Sequence, residues 1–289
     1  MRELQTTVQR IRDGCGLERR LALADLICLV QDEGLRADAL DACLSLCAEA
    51  VIGREDLEPH TASLLSLSRR WFELAQPLQR SASQIEWMID DEYRGIRGRG
   101  ERLLDLMGYL PGREVETCLR NPLSLTDPRL KLFAAVSLLR RREQVDASEL
   151  EAIAASVEVR IILWGRLRTL RMESLMPRRW SAPEMLAASE LSNWVSHPME
   201  MGVPPEDVEL MTTFKVETGG RCEDAYLFRY REYPRPWEPG GGWMAGIVGP
   251  YRDGQLIGYC WSAFESWDSR TPEEHIAKLC ASVSRCGAE

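Results

Sequence analysis

The sequence predicts a chain in two parts: helices over residues 1–203, then a small α+β domain over 204–289, built from about four antiparallel strands covered by a terminal helix. Three observations lead there. Residues 126–142, TDPRLKLFAAVSLLRRR, form a helix that is apolar nearly all round, and such a helix must be covered on more than one side. At Pro204-Pro205 the spacing of apolar residues changes from about 3.6 to 2, the change from helix to strand. Near the end, Thr271-Pro272-Glu273-Glu274 is a capping box with proline at the first helical position, opening a helix with one apolar face.

The apolar helix has clear ends. Asp127 is suited to the N-cap, because its carboxylate accepts from the free N–H groups of the first turn. Pro128 follows where no helical hydrogen bond is lost, and Arg140, Arg141 and Arg142 reach the negative end of the dipole. Asp127, Pro128, Leu130, Lys131, Ala134, Ser137 and Leu138 fall on the Asp-Pro-x-Val-Arg-x-x-Ala-x-x-Ala-Leu pattern, with Lys131 for the usual Arg and Ser137 for the second Ala. The stretch therefore resembles a HEAT repeat. A weaker copy begins at Ser156, 29 residues on, with Val159 and Arg160 in the Val-Arg positions, and two copies in tandem predict a HEAT-like α-solenoid. Residues 103–281, with NWVSHPMEMGVPPEDVEL, GWMAGIVGPY and ESWDSRTPEEH, are similar to the tail of a group of bacterial HEAT-repeat proteins. That resemblance implies a solenoid joined to a small α+β domain, and implies no particular activity.

Taken in order, ERRLALADLICLV predicts a helix whose core stripe includes Leu21, Ala24 and Cys28. RADALDACLSLCAEAVIG places Leu40, Cys43, Leu44 and Cys47 on one face, and TASLLSLSRRWFELAQPL ends near Pro77. Ser81 and Gln84 form a further capping box, and Asp90 and Arg94 an i,i+4 pair. Gly95, Gly98 and Gly100 predict a helix break or hinge, each costing about 1 kcal/mol against alanine. Beyond the apolar helix come a short helix capped by Asp146 or Ser148, a longer one in VEVRIILWGRLRTLRMESL, and one opened by a capping box at Ser181 and Glu184. In the C-terminal part, Val208, Leu210, Thr212, Phe214 and Val216 are expected on one face of a strand. Tyr226, Phe228 and Tyr230 share a face of the next, opposite Leu227, Arg229 and Arg231. Thr218-Gly219-Gly220-Arg221 and Arg252-Asp253-Gly254 read as hairpin turns.

Composition narrows the function. The 289 residues carry a net charge of −9, which disfavours general attraction to nucleic acid or anionic lipid. No run approaches the ~18 apolar residues of a membrane helix, and the N-terminal segment reads as an amphipathic helix rather than a signal peptide. Nine cysteines, an odd number, with Cys28, Cys43, Cys47 and Cys118 in apolar helical patterns, predict core thiols of a reduced, cytoplasmic protein. No C-x-x-C or histidine pair suggests zinc, and nothing calls for a cofactor. Gly240-Gly241-Gly242 lacks the Gly-Lys-Ser/Thr ending of a phosphate loop and reads as a turn.

The weak acid/base candidates are Glu265, Asp268 and His275, with Trp261 and Trp267 nearby. Set against catalysis is a structural role for all of them in capping, dipole and packing. The partner-binding candidates are Arg140, Arg141, Arg142, Arg166, Arg168 and Arg171, because residues 94–180 carry +6 between segments of −7 and −8. Set against that, charge runs usually face solvent or pair internally. The expectation is a non-catalytic scaffold or adaptor with a protein partner, such as an immunity-type protein. The alternatives are a nucleic-acid-binding or DNA-repair solenoid and an enzyme with its site in 261–275.

Overall fold

The structure, a computed structural model, describes residues 2–32, 36–78, 90–197, 200, 202, 204–218, 220–231, 242–252 and 255–286. The expected Ser81–Gln84 capping box, Gly219, Gly240, Gly241, Asp253, Gly254 and the Trp261 side chain lie outside what is described. The chain divides into two compact units, residues 1–149 and 150–289. The change from helix to strand comes later, after residue 203, so three helices fall in one unit with the sheet.

The first unit contains α1 (Arg2–Asp13), α2 (Gly16–Gln31), α3 (Arg36–Ala48), α4 (Arg54–Leu57), α5 (Thr61–Leu78), α6 (Asp91–Met107), α7 (Arg113–Arg120) and α8 (Pro128–Arg140). α1 packs on α2 and α2 on α3; α3 and α5 both pack on α6; α6 and α7 pack on α8. As expected, α8 is buried all round from Leu132 to Leu139. Asp127 is its N-cap: one carboxylate oxygen accepts from the N–H groups of Arg129 (2.8 Å) and Leu130 (3.3 Å). The other accepts from the Tyr93 hydroxyl at 2.8 Å and stands 3.1 Å from the Arg97 guanidinium.

The glycines of α6 do not break it; the helix is continuous from Asp91 to Met107. Gly100 admits a neighbour instead. A Cβ there would lie 2.1 Å from the Trp71 ring, whose indole N–H donates to the Ile96 carbonyl at 2.8 Å. Helical packing thus outweighs the propensity cost. Arg94 pairs with Asp91, while Asp90 is spent capping the helix through the N–H groups of Glu92 and Tyr93.

The second unit contains most of α9 (Ala147–Ala155), then α10 (Arg160–Leu170), α11 (Pro183–Val195), β1 (Asp207–Thr218), β2 (Arg221–Arg231), β3 (Trp243–Arg252), β4 (Gln255–Ser266) and α12 (Pro272–Cys286). The strands form an antiparallel sheet in the order β1-β2-β3-β4. α12 covers one face, packing Leu279, Ile276 and Cys280 against Leu227, Ala245 and Ile247. The terminal helix and its apolar face are as the sequence predicts. The opposite face is also covered. α11 packs against all four strands, so closely that a Cβ on Gly246 would lie 2.8 Å from Leu191. Tyr226, Phe228 and Tyr230 share that face and are buried.

Two local expectations are corrected. β1 does not alternate evenly, because the register shifts between Leu210 and Thr212. Leu210 therefore pairs with Phe228 on the α11 face, while Thr212 and Phe214 pair with Leu227 and Ala225 on the α12 face. A bulge of one extra residue reverses which side chains face which way. At α11 the N-cap position is Ala182 and no side chain caps it, so Ser181 and Glu184 do not form the predicted box.

Candidate functional site

The structure brings Glu265, Asp268 and His275 together where the end of β4 meets the start of α12. α12 begins with the predicted box: the Glu274 N–H donates to the Thr271 hydroxyl oxygen at 3.3 Å, and the Thr271 N–H to the Glu274 carboxylate at 2.8 Å. This turn holds His275 fully buried and stacked on Trp267, with ring centroids 4.4 Å apart and planes at 11°. Its Nδ1 lies 3.8 Å from Glu265 Oε1 and its Nε2 3.6 Å from Asp268 Oδ1, both beyond hydrogen-bond length.

The two carboxylates belong to other partners. Arg270 Nε donates to Asp268 Oδ1 and Oδ2 at 2.8 and 2.9 Å, and the Arg270 backbone N–H to Oδ1 at 2.9 Å. These bonds hold the Asp268 carboxyl well below the usual carboxylate range. Glu265, buried where Asp268 is exposed, forms an ion pair with Arg270 and a second with Lys278 at 2.8 Å. The two carboxylates thus face two cations. The Glu265–Lys278 ion pair ties α12 to the end of β4.

The six arginines separate into different environments. Arg140 donates to the Asp105 carbonyl at 2.9 Å and carboxylate at 2.6 Å, with its guanidinium 4.4 Å from the Tyr109 ring centre. Arg141 donates to the Leu110 and Gly112 carbonyls. Both tie the end of α8 to the segment 105–112. Arg142 is exposed at φ 67°, closing the turn after α8, and Arg171 is exposed at φ 57°, ending α10. Arg166 and Arg168 on α10 are half-buried and make contacts of their own. Arg160, at the start of α10, is held by backbone carbonyls. It donates to the carbonyls of Ala154 (2.7 Å), Ala155 (3.0 Å) and Met185 (2.9 Å) and lies over Trp180. Burial pushes its pKa down to about 10.

A surface that the sequence reading missed lies on α2. Its buried face is Ala22, Leu23, Leu26, Ile27 and Val30. The expected core residues Leu21, Ala24 and Cys28 lie on the other side, and with Leu17 they form a stripe at i, i+4, i+7, i+11. Leu17 is 72% and Leu21 54% exposed, Ala24 is half-buried, and Cys28 is an exposed thiol rather than a core one. The signal was present in the spacing from Leu17. A helix apolar on two faces, however, does not say which face meets the core.

No helix among the described residues is long and apolar enough to cross a membrane, and no group of three or more potential metal ligands occurs among them. Compared with protein-family profiles, curated proteins and solved structures, the chain matches none.

Proposed function

We propose that the protein is a non-catalytic interaction scaffold whose first unit is a HEAT-like solenoid. In support of the solenoid, α1 to α3 pack each on the next, and α8 carries the Asp-Pro cap of the repeat pattern. The observation that carries the function is the exposed stripe of α2: Leu17 and Leu21 hold large apolar side chains in water, an arrangement that partner binding relieves. The partner is a protein segment with an apolar helical face and a basic rim, because residues 1–93, which include α2, carry −7. The internal pairing of Glu265 and Asp268 supports a non-catalytic reading of that cluster.

Replacing Leu17 and Leu21 together by Glu tests this. Both are exposed, so the unfolding free energy should change by no more than about 0.5 kcal/mol per site. Capture of a specific partner from native extract should be lost. Unchanged capture would remove α2 from the function. Salt-resistant, submicromolar binding to duplex DNA, far below the ~10⁻⁴–10⁻⁶ M non-specific range, would favour the nucleic-acid reading instead.

A further inference from the structure

A cavity of about 150 Å³ opens between α3, α5 and α6 in the first unit. Its walls are apolar, formed by Leu40 on α3, Trp71 and Leu74 on α5, and Ile96 on α6. An engineered apolar cavity of about this volume takes up benzene, so the space suits one phenyl ring or one branched aliphatic group. Three arginines also line it, Arg36, Arg70 and Arg99, and no carboxylate among the described residues does.

The three differ in how they are used. Arg36 donates to the Val30 and Gln31 carbonyls at the end of α2, at 3.0 and 3.1 Å. Arg70 donates to the Gln31 side-chain carbonyl at 3.0 Å. Arg99, half-buried on α6, meets no acceptor among the described residues. A guanidinium presents five N–H donors in a planar fork matched to a carboxylate. Here that fork, with no acceptor among the described residues, stands beside an apolar space of one-ring size.

We propose that this cavity binds a small apolar carboxylate, with the ring or branched chain against Trp71 and Ile96 and the carboxylate on Arg99. The site is independent of the α2 stripe. A free carboxylic acid and the C-terminal residue of a peptide present this same chemistry.

Calorimetric titration of the full chain with phenylacetate, 2-phenylethanol and an acetylated tripeptide ending in phenylalanine tests the proposal. Phenylacetate should bind about 10-fold or more tightly than the alcohol, the value of a charge-assisted hydrogen bond. Arg99→Gln removes no ion pair among the described residues, so the variant should fold normally and bind the acid no better than the alcohol. Leu74→Trp, at a position 58% exposed, should plug the mouth and abolish binding of both. Tighter binding of the tripeptide than of phenylacetate would identify a chain terminus as the source, and the reverse a free acid; either supports the site. Equal affinity for acid and alcohol, or acid binding unaffected by Arg99→Gln, would overturn it.

Discussion

Asp127 joins more of the first unit than any motif around it discloses. One carboxylate caps α8, accepts from Tyr93 and faces Arg97, and it is 1% exposed. Asp127→Ala should therefore cost more than the ~1 kcal/mol of an ordinary cap. It leaves Arg97 with only the longer Glu101 pair at 3.7 Å among the ion pairs described, and about 2–4 kcal/mol is expected by chemical denaturation. Only the cap was legible in the sequence, because it is local. Tyr93 and Arg97 reach Asp127 only once α6 packs on α8. Asp268 makes a second test. Its folded carboxyl is held low by Arg270, so its contribution is full above the ordinary Asp range near 4 and is lost as pH falls through the depressed folded value. The stability gap between wild type and Asp268→Asn should thus be constant from neutral pH down to about 5. It should close only in strong acid. A gap that closes above pH 5 would mean that Arg270 does not hold this carboxylate.

At the scale of elements, two glycines in one helix should respond in opposite ways. A Cβ at Gly95 would meet open space, and one at Gly100 would lie 2.1 Å from the Trp71 ring. Gly95→Ala should stabilise by up to about 1 kcal/mol through helix propensity. Gly100→Ala should destabilise by roughly 1–3 kcal/mol through overpacking, and thermal melts of both variants decide it. Equal shifts would mean that Trp71 does not fill the space beside Gly100. The glycines were visible in the sequence, but their purpose was not, since Trp71 approaches from another helix. The strands show the same limit. Tyr226, Phe228 and Tyr230 share the predicted face, whereas the bulge after Leu210 redirects β1. Alternation is local information, and a bulge is set by the partner strand. For α12, the Thr271–Glu274 box and the Leu279 face were both legible, because cap and stripe lie within one helix.

For the whole molecule, the sequence marked where helix gives way to strand but not where the compact units divide. α11 reads as one more helix of the array, yet it covers the sheet face that holds Tyr226, Phe228 and Tyr230, and so falls in the second unit. The charge pattern was likewise real but ambiguous. Net +6 over 94–180 says nothing of partners when Arg140, Arg141 and Arg160 are spent on backbone carbonyls and Asp105. The proposed recognition surface is the apolar stripe of α2, and Cys28 reports on it directly. It is an exposed thiol on that stripe, while Cys222, exposed on β2, lies in the other unit. The decisive measurement is the rate of maleimide labelling at Cys28 and Cys222 in native extract, against buffer. Partner binding through α2 predicts marked slowing at Cys28 in extract, no change at Cys222, and recovery of the Cys28 rate when Leu17 and Leu21 are replaced by Glu. Equal rates at Cys28 in extract and buffer would contradict the proposed scaffold surface.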